Sequence, residues 1–262
     1  MKEIIDKKQS LAEVESAIDR SLAENRVITL ITYYLSRYGE HVLNAILSRI
    51  LIRFGRNDLQ EVVYTSVKEL IMNATKANLK RVVFNDLGLD PHLPNQYDEG
   101  MAFFKKNLIE DRMKEYREKF RTANLPVTVT FYYEPFKVLH VKVKNNFTLL
   151  PEEERRIREK FDNARSFDNL MDFYLHFSDN TEGAGMGLSL VGILFAQSGI
   201  DRHAFSIYSS ERYNETIARL EIPLGPEYRT RRDRFTEEMS RSGASAEELR
   251  QKFRRSDAAI TH

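Results

Sequence analysis

Hydrophobic residues recur along this chain with two different spacings, and the first is the spacing of amphipathic helices. Apolar positions return every three or four residues in three segments, which predicts helices that each turn one face to a core. These segments are residues 41–53, 59–79 and 99–123. A capping-box pattern at Ser10 and Glu13 predicts a further helix to about residue 23, Asp58 is the expected cap of the second segment, and Pro151 begins another helix.

The second spacing is the alternation of apolar and polar residues that β-strands show. The alternating segments are residues 127–133, 138–144, 204–209 and 216–222, and they predict two antiparallel pairs. Residues 26–35 favour a strand through their Ile, Thr, Val and Tyr content, although a helix is the alternative because the run is apolar on both faces. Residues 80–84 fit a short strand.

Composition narrows the class of protein. The chain has 262 residues, of which 42% are hydrophobic and 30% charged, enough for a substantial core with extensions or for two small domains. A net charge of +1 predicts no nucleic-acid or membrane partner. There is no cysteine, which excludes disulfides and thiolate chemistry. No apolar run approaches the roughly 18 residues of a membrane span, and the N-terminus has no apolar signal core, so we expect a cytoplasmic protein.

Three glycines at alternate positions, Gly183, Gly185 and Gly187, precede an apolar run that predicts a helix over residues 187–197. Such glycines allow a tight turn and expose consecutive backbone N–H groups. A helix that begins at their end adds its positive dipole, and together they form a seat for phosphate. The alternative is a glycine-rich turn that only begins a helix.

Three polar residues share one face of the helix predicted over residues 59–79. Glu69, Asn73 and Lys76 stand at positions i, i+4 and i+7, and polar groups on an otherwise buried helix need partners. The alternative is an amphipathic helix with a wet face.

Taken in order, residues 67–78, 143–151 and 183–188 resemble the motifs of the ATP-binding domain shared by histidine kinases, gyrase, the heat-shock chaperone and the mismatch-repair ATPases. The resemblance covers roughly residues 26–224. Its asparagine helix and its glycine loop match well. Its adenine loop departs from the family, because Asn-Asn-Phe-Thr-Leu at residues 145–149 replaces Asp-Asn-Gly-x-Gly.

The resemblance implies ATP and Mg²⁺ as cofactors and assigns a role to each matched residue. Asn73 would ligate Mg²⁺, Lys76 would meet a phosphate, and Glu69 would position or deprotonate the attacking group. The residues expected around the nucleotide are Asn73, Lys76, Asn145, Phe147, Leu149, Gly183, Gly185, Met186, Gly187, Leu188 and Thr216. Thr216 would support the group that binds adenine.

The departure at residues 145–149 leaves two interpretations. Asn145 can still accept the adenine amino hydrogen through its carbonyl oxygen, although without the charge of an aspartate. Phe147 and Leu149 add bulk where the family has glycine. Either Phe147 stacks on the base, or the two side chains fill the pocket.

The resemblance also implies a fold, which is α+β. We expect a two-layer α/β sandwich of the histidine-kinase ATPase (Bergerat) type, with helices over one face of a mixed, largely antiparallel sheet. Residues 1–25 would be a helical extension, residues 26–224 the ATP-binding domain, and residues 225–262 a polar, mobile tail. A helical insertion at about residues 85–125 would pack on the flank of the domain, or would alternatively dock a partner.

The expected function is ATP-dependent signal transduction, with a protein kinase acting in trans as its active form. His41 is followed by Val and Leu and lies 32 positions before Asn73, so it does not resemble a phosphoacceptor with its own dimerisation hairpin. The arrangement looks more like the stand-alone anti-sigma-factor serine kinases. A protein phosphoacceptor in trans is the expected partner, and a homodimer is compatible with the sequence. The alternatives are a non-catalytic nucleotide-binding module and an interaction protein without nucleotide.

Overall fold

Six strands form a single sheet in the computed structural model, which describes residues 3–4, 10–107, 110–167, 170–177, 186–245 and 247–249. The strands are β1 Glu3–Ile4, β2 Ile28–Thr32, β3 Val127–Glu134, β4 Val138–Asn145, β5 Phe205–Ser210 and β6 Glu215–Pro223. Their order across the sheet is β1-β2-β3-β4-β6-β5. β1 runs parallel to β2 and every other neighbouring pair is antiparallel. The predicted hairpin, the closing pair and the strand in residues 26–35 are confirmed.

Ten helices lie within the described residues. They are α1 Leu11–Ala23, α2 Arg37–Arg53, α3 Gln60–Asp86, α4 Pro94–Asn107, α5 Glu110–Glu115, α6 Arg117–Thr122, α7 Pro151–Arg165, α8 Leu170–Phe177, α9 Met186–Gln197 and α10 Arg231–Ser242. Together with the sheet they make the fold α+β, as predicted. None of the helices in this part of the chain is long and apolar enough to cross a membrane.

Alternation along the strands separates the two faces of the sheet. Val129 and Phe131 of β3 and Val141 of β4 are fully buried in the main core, where helices α1, α2, α3 and α9 meet the same face. The opposite face is more polar. The hydroxyl of Tyr228, just before α10, donates to Glu221 on that face of β6. The described part of residues 225–262 therefore contacts the sheet, while residues 250–262 lie outside the description.

Residues 80–84 belong to a helix, and the predicted short strand is wrong. α3 continues to Asp86 because Leu79, Val82 and Val83 pack in a second core, against Phe104 of α4 and Phe120 of α6. Tertiary burial decides the state of a short apolar run that local preference leaves ambiguous. The stripe expected over residues 99–123 is divided among α4, α5 and α6, and its described members pack in this second core rather than facing solvent.

Asp58 does not cap α3, which corrects another expectation. Its carboxylate accepts hydrogen bonds from the guanidinium of Arg56, and the N-cap of α3 is Leu59, which makes no side-chain cap bond. By contrast, the predicted capping box at Ser10 and Glu13 is present, as is a second one at Ser245 and Glu248.

Two helical glycines differ in the space around them, and this predicts opposite effects of alanine. A Cβ on Gly100 would lie 2.5 Å from the buried ring of Phe84, whereas a Cβ on Gly192 would meet Ala164 at 3.7 Å, an ordinary contact. We expect Gly100→Ala to lower the free energy of unfolding by about 1–3 kcal/mol through overpacking. Gly192→Ala should be neutral or stabilise by up to about 1 kcal/mol through helix propensity. Urea unfolding of both variants measures this, and equal effects would contradict the packing around Phe84.

Candidate functional site

The start of α9 meets the polar face of α3 at Gly187. A Cβ on Gly187 would collide with Glu69 Oε2 and lie 3.1 Å from Asn73 Nδ2. Gly187 therefore lies against two residues that precede it by 118 and 114 positions, and a side chain at position 187 would require the side chain of Glu69 to move. The structure thus joins the glycine segment to the predicted polar face at Glu69 and Asn73.

The backbone conformation at position 187 does not require glycine, whereas the close approach of Glu69 favours it. Gly187 lies inside α9 and is not among the glycines with positive φ. Met186 begins the same helix, and the side chain of Leu188 is buried in the main core, so only its backbone could face a ligand. Gly183 and Gly185 lie outside the described residues.

Asn73 carries an unpaired polar group. Its Nδ2 is buried and has no hydrogen-bond partner among the residues that the structure describes. A buried amide left unsatisfied costs about 1–3 kcal/mol. This group is therefore placed to gain a bond from a ligand that enters between α3 and α9.

A chain of amides orients Asn145 at the end of β4. Asn78 Nδ2 donates to the carbonyl oxygen of Leu125 at 2.6 Å, which leaves Asn78 Oδ1 as an acceptor. Asn145 Nδ2 donates to that Oδ1 at 2.7 Å and to the carbonyl oxygen of Ala74 at 3.0 Å. Because both N–H groups of Asn145 are used, its remaining capacity is the carbonyl oxygen Oδ1, which can only accept.

Side chains from three directions hold the loop after Asn145. Thr216, the cross-strand partner of Asn145, donates its hydroxyl to the carbonyl oxygen of Phe147 at 2.7 Å. Ser209 Oγ accepts from the backbone N–H of Leu149 at 2.9 Å. The guanidinium of Arg81 lies 4.5 Å from the centre of the Phe147 ring and donates to the carbonyl oxygen of residue 148. The loop without glycine is thus fixed in place, and Arg81 covers one face of the Phe147 ring.

A buried carboxylate ties α7 to α3. Glu153 accepts hydrogen bonds from Lys80 and Arg81, each at 2.7 Å, and from the backbone N–H of Leu150 at 3.0 Å. Burial alone would raise the pKa of Glu153, but the two cations outweigh it and hold the pKa at about 2. Glu153 is therefore ionised at neutral pH and fixes the distance between the two helices.

Lys76 and Lys160 add positive charge to the same cleft. Burial lowers the pKa of Lys160, on α7, and the positive charges of Lys80, Arg156 and Lys76 lower it further. Neither Lys76 nor Lys160 has a carboxylate partner among the described residues. The predicted phosphate ligand Lys76 thus lies in a cluster of cations.

Five residues of this region were missed by the sequence analysis: Asn78, Lys80, Arg81, Glu153 and Lys160. For Lys80 a signal was present, since it continues the face of Asn73 and Lys76 by one helical turn. For Glu153 and Lys160 no signal existed, because α7 carries many charges and the sequence does not show which of them face α3.

Comparison with known proteins adds one relative. An uncharacterized protein of Treponema pallidum (strain Nichols) is 30% identical over 203 residues, which are 78% of this chain and 39% of that protein. The chain thus spans about two fifths of that relative. No family model matches the chain and no solved structure matches it.

The amide chain predicts that an aspartate is unfavourable at position 145. A carboxylate there would face two acceptors, the carbonyl oxygen of Ala74 and Asn78 Oδ1. We expect Asn145→Asp to lower the free energy of unfolding by at least about 2 kcal/mol at pH 7. The loss should shrink at low pH, where a protonated carboxyl can donate again. Urea unfolding measures it, with Asn146→Asp at the exposed neighbouring position as the control. Equal effects of the two substitutions would contradict the proposed orientation of Asn145.

The ion pairs of Glu153 predict a pH dependence of stability. The folded-state pKa of about 2 lies below the ordinary value of 4.5, so the contribution is complete above pH 4.5 and is lost as the pH falls through 2. We expect Glu153→Gln to cost about 3 kcal/mol at pH 7 and progressively less between pH 4.5 and 2. Glu154→Gln, which removes an exposed pair with Arg158, should cost under about 1 kcal/mol. A pH-independent difference from the parent would argue against a buried ion pair at Glu153.

Proposed function

We propose that this chain is an ATP-binding signal-transduction protein with a Bergerat-type domain of the histidine kinase-like ATPase superfamily. The observation that carries the proposal is the contact of Gly187 with Glu69 and Asn73. Two motifs that are distant in the sequence meet there in the arrangement that the resemblance implies. The third motif, at Asn145, lies against the same helix α3.

The side chains of α3 fit a magnesium–phosphate ligand. Mg²⁺ takes oxygen ligands and is often held by one or two protein groups, with phosphate oxygens and water completing the shell. The part of the chain that the structure describes holds no group of three His, Cys, Asp or Glu that could bind a metal by themselves. Asn73 is the residue that would hold Mg²⁺ here, through its carbonyl oxygen, and its unpaired Nδ2 would donate to a phosphate oxygen. When bound, Mg²⁺ neutralises phosphate charge.

The side chain of Asn145 supports the proposal that the site binds adenine. Its carbonyl oxygen is the group that remains for a ligand, and an adenine amino group is a matching donor. The hydrogen bonds from Asn145 to α3 replace the charge of the family's aspartate as the means of orientation. Phe147 then offers the ring face that Arg81 does not cover for stacking on the base.

Phosphoryl transfer to a protein in trans is the reaction that this site would support. Glu69 would accept the proton of the attacking hydroxyl or imidazole as a bond forms to the γ-phosphorus and the bond to the β-phosphate oxygen breaks, releasing ADP. Lys76 would balance negative charge on the phosphates. The partner would be a phosphoacceptor protein in trans, because His41 is followed by Val and Leu and lacks the sequence context of a phosphoacceptor histidine.

A non-catalytic nucleotide-binding module is the second candidate. The observation that favours it is the fixed loop after Asn145, which Arg81, Ser209 and Thr216 hold closed by direct contacts. A loop without glycine and with this many ties resists the movement by which an enzyme closes over its substrate. ATP that binds without forming ADP or a phosphoprotein would select this candidate.

Nucleotide titration by calorimetry, with and without Mg²⁺, tests the proposal. We expect ATP to bind more tightly with Mg²⁺, and Asn73→Ala to remove most of that difference, because the amide that meets the metal and phosphate is lost. Asn85→Ala, on the same helix but exposed, is the matched control and should behave as the parent. Parent-like magnesium dependence in Asn73→Ala would refute the assignment of Asn73. The absence of ATP binding to the parent would leave an interaction protein without nucleotide.

A further inference from the structure

Two facing helices carry an excess of positive charge beside the candidate site. Lys76 and Lys80 stand one turn apart on α3, on the face that also carries Glu69 and Asn73. On α7, Arg156 and Lys160 stand one turn apart, on the face that carries Glu153. The contacts of Glu153 with Lys80 and Arg81 hold these two faces against each other.

The carboxylates in the cleft do not balance its cations. Glu153 is shared by Lys80 and Arg81, Glu152 pairs with Arg156, and Glu69 stands two turns before Lys76 on the same face of α3. Lys76 and Lys160 receive no carboxylate among the described residues, although the side chain of Lys160 is half-buried. Cations brought together without counter-ions repel one another at close range, so an anion that enters the cleft gains from all of them.

The cleft is continuous with the site at Gly187. The carbonyl oxygen of Lys160 accepts a hydrogen bond from the hydroxyl of Ser189 at 3.2 Å, two residues after Gly187 on α9. Gly187 in turn abuts Glu69 and Asn73, and Lys76 lies one turn beyond Asn73 on α3. An anion bound between Lys76 and Lys160 would therefore lie next to a group held at Asn73.

Lys160 is unfavourable for the folded protein in the absence of an anion. Burial and the neighbouring charges of Lys80, Arg156 and Lys76 lower its pKa, which means that the charged form is less stable in the fold than in water. A lysine that lowers the stability of the free protein is expected at a position where its charge contributes to ligand binding.

We propose that Lys76, Lys80, Arg156 and Lys160 form a subsite for a polyphosphate chain, with Lys160 of α7 as a direct phosphate ligand. The chain would be that of a nucleoside triphosphate, so this identity rests on the proposed function. The subsite would select triphosphate over monophosphate, because several cations act on the terminal phosphates and none of them is needed to hold the base. Arg81 stays with Glu153 and Phe147 and positions the two helices.

Calorimetry of the full chain with inorganic tripolyphosphate, ATP and AMP tests the subsite. We expect Lys160→Gln to weaken the binding of tripolyphosphate and of ATP by about tenfold, because one charge-assisted contact to phosphate is lost. The affinity for AMP should not change. Lys137→Gln removes the same charge from the turn between β3 and β4, at the opposite end of β4 from Asn145, and should bind as the parent. Lys160→Arg should retain most of the affinity.

Thermal unfolding without ligand separates binding from a structural role. Lys160→Gln should melt at or above the temperature of the parent, because it removes a repelled cation. A clear decrease in melting temperature, with Lys160→Arg restoring stability and with tripolyphosphate affinity unchanged, would overturn the subsite.

The outcomes also distinguish this inference from the proposed function. Tripolyphosphate binding that depends on Lys160, without ATP binding, would support the cationic subsite and refute the nucleotide function. If Lys160→Gln and the parent show the same preference for ATP over AMP, the subsite is overturned and the proposed nucleotide function remains. Binding of neither ligand would refute both.

Discussion

The hydrogen bonds between Asn145 and α3 are the contact on which the arrangement of the candidate site depends. They join β4, which ends at Asn145, to the helix that carries Glu69 and Asn73. Both groups are buried, so each bond that is lost would leave an unsatisfied polar atom in the core. The orientation of Asn145 follows from Asn78, and the orientation of Asn78 follows from the carbonyl of Leu125. The hydrogen bonds in the core thus account for an asparagine, and not an aspartate, at position 145.

Charged side chains determine how α7 packs against α3. Glu153 is buried with two cations, an arrangement that is costly to break because removal of one member leaves the others uncompensated. The same contact leaves Lys160 half-buried, where burial and the positive charges of Lys80, Arg156 and Lys76 lower its pKa. The stabilising ion pairs of Glu153 and the unfavourable environment of the Lys160 charge therefore both result from the packing of α7 against α3. Together they make the cleft between these two helices suited to an anion.

The sequence predicted local features whose causes are local. The capping box at Ser10 follows from side chains three residues apart, and the hairpin of β3 and β4 follows from alternation on either side of a turn. The shared face of Glu69, Asn73 and Lys76 follows from helical spacing alone. The two wrong predictions also came from local features. The apolar character of residues 80–84 suits a strand, but burial in the second core makes them helical. Asp58 is a residue type that caps helices, but its carboxylate binds Arg56.

By itself, the sequence determined most of the elements, the alternating faces of the sheet and the order of three motifs, because spacing along a chain defines which residues share a face. It also determined that the side chain at position 145 is a neutral amide. Only the tertiary structure decided that Gly187 meets Glu69 and Asn73, that both N–H groups of Asn145 are used, and that Glu153 rather than another acid of α7 faces Lys80. These contacts join residues about 70 or more positions apart, and their geometry depends on how helices pack across a sheet, which no local pattern encodes.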